Sequence, residues 1–232
     1  MANQLTKVRK NVSYPMSDGK PLADNTLQFD WIVKIFTGLA IQFKDAADVF
    51  VASNLIWYPV EGRPRIRTAS NVMIAFGRPK GYRSSYLQWK EGGVAPQVVF
   101  KIYSPQNRPP QLRRLFEFYQ RYGVEEYYFY NPFKFTLKAW WREGAKRKPL
   151  RPILGMRSPR LGVLFEMGDD DLRIVGTDGR EFLAPGQRAD REQAEREELL
   201  RQAREKERAR YDAILEQMRA GGIDLRKFLG DS

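Results

Sequence analysis

The chain contains no cysteine and no histidine. A disulfide framework is therefore impossible, and cysteine usage says nothing of redox compartment. Thiolate zinc sites and imidazole acid–base chemistry are excluded as well. Any catalytic acid, base or metal ligand must come from Asp, Glu, Lys, Tyr, Ser, Thr, Asn or the backbone. No stretch approaches the roughly 20 apolar residues of a membrane span. The first residues, Met1 to Lys10, lack a hydrophobic signal core; the expectation is a cytoplasmic protein that binds no membrane.

What the chain does have is positive charge. Its 232 residues carry 40 Lys+Arg against 28 Asp+Glu, a net charge of +12. Residues 186–232 hold 11 basic and 11 acidic side chains, so the first 185 residues carry the whole excess. Such a field favours polyanions, whether nucleic acid, phosphorylated ligands or an acidic partner, although a basic surface also serves solubility alone.

The patterning predicts an α/β fold, a mixed sheet flanked by helices with a charged C-terminal helix. Residues 1–23 are polar, contain Pro15 and Pro21, and read as an extended or disordered arm. Residues 24–185 read as one domain. Asp24 or Asn25 caps a helix in which Leu27, Trp31, Ile35 and Leu39 recur every four residues. Asp48–Ala52 is a short β-branched strand, which Ile56–Tyr58 extends or follows. Asn71–Phe76 is a continuous apolar run of the kind buried on both sheet faces. Val98–Tyr103 is another strand. Pro109-Pro110 opens a helix that Gly123 stops. Strands follow at Glu126–Tyr130 and Phe135–Trp141. Two or three short strands between Leu161 and Leu183, with turns at Gly168-Asp169 and Asp178-Gly179, suggest a terminal hairpin.

Residues 186–232 form a tail rich in Arg, Glu, Gln and Ala, with i,i+4 pairs such as Glu192→Arg196 and Glu197→Arg201. Its apolar positions are sparse: Leu199, Leu200, Ala203, Ile214, Leu215, Met218. Two readings stand, a solvated single helix and a weak coiled coil that forms a homodimer. Gly221-Gly222 ends the pattern and Ile223–Leu229 is an apolar coda.

Three places could hold chemistry. The first is the pair Asn71 and Lys101 on neighbouring strands. Metal-dependent nucleases place carboxylates at such positions, with a lysine nearby. Here neither position is acidic, and a structural role in which Lys101 pairs with Asp48 or Glu61 competes. The second is the loop Arg78, Lys80, Arg83 with Tyr82 and Tyr86, where basic and aromatic residues interleave as on phosphate-tracking surfaces. It lacks the Gly-Lys-Ser/Thr ending of a nucleotide loop. The third is the basic run 134–151, with Lys138, Arg142, Lys146, Arg147 and Lys148 against Glu143 alone; a phosphate-binding strip and a plain surface loop both fit it.

Several strings together resemble the restriction endonuclease family abundant in cyanobacteria. They are Asp48-Val-Phe-Val-Ala, Leu55-Ile-Trp-Tyr-Pro-Val-Glu-Gly62, Val72-Met-Ile-Ala-Phe-Gly-Arg-Pro-Lys-Gly81, Ser85-Tyr-Leu-Gln-Trp89, Pro96-Gln-Val-Val-Phe100, Ser104-Pro105, Phe118–Tyr128 and Gly222-Ile223-Asp224. The resemblance covers residues 24–229. It implies a PD-(D/E)xK nuclease-like fold and Mg²⁺-assisted hydrolysis of DNA. The departures fall on the chemistry. Asn71 stands where the resemblance implies aspartate, Lys101 where it implies glutamate, and Leu115 where it implies lysine. Asn54 and Asn131 also replace aspartates, whereas Asp48, Glu61, Glu125 and Glu126 match.

The implied metal site is thus three charge units more positive than in its relatives. A lysine about 4 Å from a divalent ion costs on the order of 8 kcal/mol at an effective dielectric near 20. The resulting expectation is a catalytically inactive copy that needs no cofactor and binds DNA. The alternatives are an active Mg²⁺ nuclease using Asp48 and Glu61, and an assembly module driven by the tail.

Overall fold

Asp24 and Asn25 both qualify as caps, and in the computed structural model Asn25 is the one used. Its Oδ1 accepts the Gln28 N–H at 2.9 Å and starts α1 (Thr26–Gln42). The structure describes residues 12–19, 21–144, 146–168 and 171–221. The chain divides into two compact units between Ala184 and Pro185. The buried face of α1 is Gln28, Trp31, Ile32, Ile35, Gly38 and Leu39. Leu27, expected on that face, is 37% exposed. A strict four-residue repeat drifts about 40° per step around a helix, so Leu27 and Leu39 cannot share one narrow stripe.

The strands are β1 (Val49–Ser53), β2 (Ile56–Tyr58), β3 (Thr68–Ala69), β4 (Val72–Phe76) and β5 (Tyr86–Leu87). A 3₁₀ turn at Gln88–Glu91 precedes β6 (Val98–Ile102) and α2 (Pro109–Tyr122). Then come β7 (Glu126–Asn131), β8 (Thr136–Glu143), β9 (Lys146–Pro149), β10 (Leu164–Met167) and β11 (Leu172–Val175). α3 (Pro185–Ala220) makes up the described part of the second unit.

Six strands form one sheet in the order β1-β4-β6-β7-β8-β9. β1, β4 and β6 make an antiparallel meander. The crossover through α2 then sets β7 parallel to β6, and β8 and β9 return antiparallel. The fold is therefore a mixed sheet flanked by helices. α1 and the β10–β11 hairpin cover one face, packing Trp31, Ile35, Phe165 and Ile174 against Val72, Ile74, Phe100 and Tyr128. On the other face Leu115, Phe116 and Tyr119 of α2 and Trp57 and Tyr86 pack against Met73, Ala75, Val99 and Tyr127. The central strands are hydrophobic on both sides because both sides are covered, which is why β4 reads as an unbroken apolar run.

Three segments differ from the sequence reading. Ile56–Tyr58 leaves the main sheet and pairs with β3 and β5 in a separate three-stranded sheet. The strand expected at Phe135–Trp141 runs Thr136–Glu143, and the basic run beyond it folds into the hairpin partner β9. β9 is an edge strand, where lysines discourage pairing with other chains, so a charged composition marks a strand there as readily as a loop. In the arm, Tyr14 is anchored: its ring packs against Tyr58 and Trp89, and its hydroxyl accepts the Gly62 N–H at 2.7 Å.

α3 is a 36-residue helix in which no described residue is buried. Among the described residues, no helix is long and apolar enough to cross a membrane. Residues 1–11 of the expected arm, Asp169 of one expected turn, Gly222, the Gly222-Ile223-Asp224 string and the coda Ile223–Leu229 lie outside the described residues.

Candidate nucleic-acid interface

Asn71 sits one residue before β4, 7% exposed. Its Oδ1 accepts the backbone N–H of Ile102 at 2.8 Å, and its own carbonyl accepts the Ser53 hydroxyl at 2.8 Å. The amide thus clamps the open end of the meander. The β4–β6 register pairs Val72 with Phe100, so one step further places Asn71 opposite Lys101. Lys101 pairs with Phe129 on β7, and Phe129 with Lys138 on β8. The row Asn71–Lys101–Phe129–Lys138 therefore crosses four strands at one end of the sheet. Lys101, Phe129 and Lys138 are two steps from Val99, Tyr127 and Trp140, so these three share the α2 face. With strands about 4.8 Å apart the row is about 14 Å long. It carries two lysines and no acid.

The remaining acids lie elsewhere. The β1–β4 register pairs Val49 with Phe76, which puts Asp48 opposite Gly77, at the far end of β4 from Asn71. Six residues of strand, about 20 Å, separate them. Glu61 is exposed in the turn after β2. Leu115 packs into the core beneath α2. Asn54 turns the chain after β1 with φ +51°, a left-handed value that asparagine tolerates. Asn131 caps the β7–β8 turn by accepting the Phe133 N–H at 3.0 Å. Glu125 pairs with Arg160 at 2.5 Å. Glu126 is buried, accepting from the Tyr128 hydroxyl at 2.7 Å, the Ser158 hydroxyl at 2.5 Å and the Arg160 N–H at 2.7 Å. Burial pushes its carboxyl above the usual range, and those three donors oppose the shift. Among the described residues, no group of three or more Asp and Glu side chains is arranged to hold a metal ion.

Most of the basic residues singled out in the sequence have partners inside the fold. Arg83 pairs with Glu91 at 2.6 Å, both side chains largely buried, and lies over the Phe50 ring. Lys80 donates to the carbonyls of Phe43 and Lys44, at the end of α1. Arg78 donates to the Gly77 carbonyl. Arg142 reaches the Gln120 carbonyl at 3.2 Å and Arg147 the Val124 carbonyl at 3.0 Å, both at the end of α2. Lys148 pairs with Glu143. Lys80, Arg142 and Arg147 thus serve helix C-termini, whose free carbonyls and dipole favour cations. Lys138 and Lys146 are exposed.

No protein-family model matches the chain, and no curated protein matches it. Among solved structures the chain is similar to a "putative nuclease belonging to DUF820" from Anabaena variabilis ATCC 29413. The TM-score is 0.46 at 11% identity, with 62% of this chain and 77% of that chain covered. At that score and identity the likeness carries nothing about the chemistry of this chain.

The structure also brings residues to the Asn71 end that the sequence did not single out. The β7–β8 turn lies there, because β6 and β7 are parallel and end together. Its tip exposes Phe133 and Phe135, 47% and 49%, on either side of exposed Lys134. Phe135 has φ +50°, a left-handed conformation that is rare for a bulky residue. Residues 103–108 join the same end to α2, whose first turns carry exposed Arg108, Arg113 and Arg114 and no acid. The Phe-Lys-Phe tip was hidden by its position at the start of an expected strand. The arginines were hidden by an expected helix, on which charge reads as a solvated face.

Proposed function

We propose that the first unit is a restriction-endonuclease-like domain that has lost its metal chemistry and binds DNA at the Asn71 end of its sheet. The observation that carries this is the row Asn71–Lys101–Phe129–Lys138, which sets an asparagine and a lysine where the sequence resemblance implies aspartate and glutamate, with Lys138 as a second cation in the row. These residues do not fit Mg²⁺. The Asn71 amide oxygen already accepts the Ile102 N–H, and the β4–β6 register continued by one step sets a lysine opposite Asn71. The same arrangement suits a phosphate backbone. Lys101 and Lys138 supply charge, the exposed Phe133 and Phe135 offer rings on which bases stack, and Arg108, Arg113 and Arg114 extend the basic strip.

The test is a gel-shift titration against salt with duplex and single-stranded DNA. Binding at low salt should weaken steeply as salt rises, and Lys101→Gln and Lys138→Gln should each flatten the log–log slope by about 1. A wild-type protein that shifts neither DNA at low salt rules the proposal out. Plasmid incubated with Mg²⁺ or Mn²⁺ should stay uncut. Metal-dependent cutting that disappears in Asp48→Ala would favour an active enzyme built on Asp48 and Glu61.

A further inference from the structure

α3 exposes Leu200, Tyr211 and Ile214, 51%, 59% and 45%, on a helix with no buried residue among those described. These three and Met218 fall on one heptad seam. The first core positions are Glu197, Arg204, Tyr211 and Met218; the second are Gln193, Leu200, Glu207 and Ile214. Apolar content alone leaves this seam weak, because Glu197, Arg204 and Glu207 interrupt it. The positions of those charges choose the partner and its direction.

In a parallel dimer each core position faces its own copy. Arg204 would meet Arg204, and Glu207 would meet Glu207, at the centre of the interface. In an antiparallel dimer first and second positions face each other, and one register aligns the whole seam. Arg204 then faces Glu207 of the second copy and Glu207 faces its Arg204, so two opposite-charge layers form side by side. Next outward, Leu200 faces Tyr211 on each side, and these four layers make a continuous centre. Beyond them Ile214 faces Glu197 and Met218 faces Gln193. Sliding one heptad in either direction separates Arg204 from Glu207. Among flanking positions Arg201 approaches Arg208 of the other copy, a like-charge contact that Glu198, 2.7 Å from Arg201 in its own helix, offsets.

We infer that α3 pairs with α3 of a second copy as an antiparallel coiled coil over residues 193–218, with Arg204 and Glu207 fixing direction and register. Coiled coils reject wrong pairings through charges at flanking positions and polar residues at core positions, and like charges meeting in the core act against a register in the same way. This does not rest on DNA binding.

Sedimentation of the full chain should give a dimer that dissociates on dilution. Arg204→Glu places glutamate against glutamate in both central layers and should raise the dissociation constant about tenfold or more. Adding Glu207→Arg swaps the charges and should restore it. A parallel dimer would gain nothing from the second substitution, because its layers stay like-charged in both variants. Native cysteine is absent, so orientation can be read directly. Glu197→Cys mixed with Ile214→Cys should cross-link on oxidation, whereas Glu197→Cys alone should not. Far-ultraviolet circular dichroism confirms that each variant keeps its helix. A full chain that is monomeric at every concentration, an Arg204→Glu dimer as tight as wild type, no recovery in the double variant, or self-linking of Glu197→Cys would each overturn the inference.

Discussion

Glu126 is a carboxylate taken out of water at the start of β7 and held by three donors. Burial raises its pKa above the ordinary 4.5, so the folded protein keeps this proton to higher pH than the unfolded chain does. The sign follows from linkage: the folded state binds more protons in that window. This group's contribution to stability is therefore fully present below about 4.5, is lost as pH rises through the window up to the folded pKa, and then levels off. Glu126→Gln does not titrate, so its unfolding free energy should lack this fall; denaturant unfolding from about pH 4 to 7 measures it. A decline as steep in the variant as in the wild type assigns the pH dependence to other groups. Glu126→Ala leaves the Tyr128 and Ser158 hydroxyls and the Arg160 N–H without their acceptor and should cost about 2–4 kcal/mol. Gly38 makes a steric point at the same scale. A Cβ there would lie 2.2 Å from the Phe182 ring, which is buried. Gly38→Ala should lower stability by about 1–3 kcal/mol in a thermal or denaturant melt.

Arg147 shows how an element recruits a residue that composition assigns elsewhere. It belongs to the densest basic run, yet β9 pairs it with Arg142 and carries its guanidinium beneath α2, over the Phe116 and Tyr127 rings. One nitrogen reaches the Val124 carbonyl, whereas Nε and Nη1 are buried without a hydrogen-bond partner. Burial brings its pKa down to about 10, helped by the Arg142 charge and opposed by Tyr127. Arg147→Met keeps the stem against both rings and removes two unpaired donors, at the loss of one hydrogen bond. Its unfolding free energy should stay within about 1 kcal/mol of wild type, and a larger loss would show that the ring faces satisfy those donors. The run could not be read correctly from sequence because strand pairing decides which lysines and arginines face α2 and which face water. Local signals were legible where the cause is local. Pro109-Pro110 and Gly123, with φ +99°, bound α2 at the residues expected. The row Asn71–Lys101–Phe129–Lys138 was half legible. Two members stood out as polar residues in apolar strands, but joining them to Lys138 requires the parallel pairing of β6 with β7, which only the α2 crossover creates.

At the scale of the whole chain, the net charge and the helix inferred to pair are separated along the sequence. Residues up to 185 carry the +12, and the tail is neutral, with opposite charges arranged along its helix. Among its described residues the tail has none that is buried. A fragment ending at Ala184 should therefore melt within a few degrees of the full chain, in one transition. Its dependence on salt in DNA binding per domain should be unchanged, because no net charge has been removed. Its apparent affinity for long DNA should fall, by as much as about 100-fold, if the tail holds two domains where both can engage one duplex. Arg204→Glu tests whether dimerisation alone explains that loss. It keeps the tail and its helix, and it changes the net charge by only two units. If avidity is the tail's contribution, full-length Arg204→Glu should bind long DNA as weakly as the fragment, and the Arg204→Glu/Glu207→Arg chain should recover. A fragment that binds long DNA as tightly as the full chain would confine recognition to a single domain and leave the paired tails a separate task.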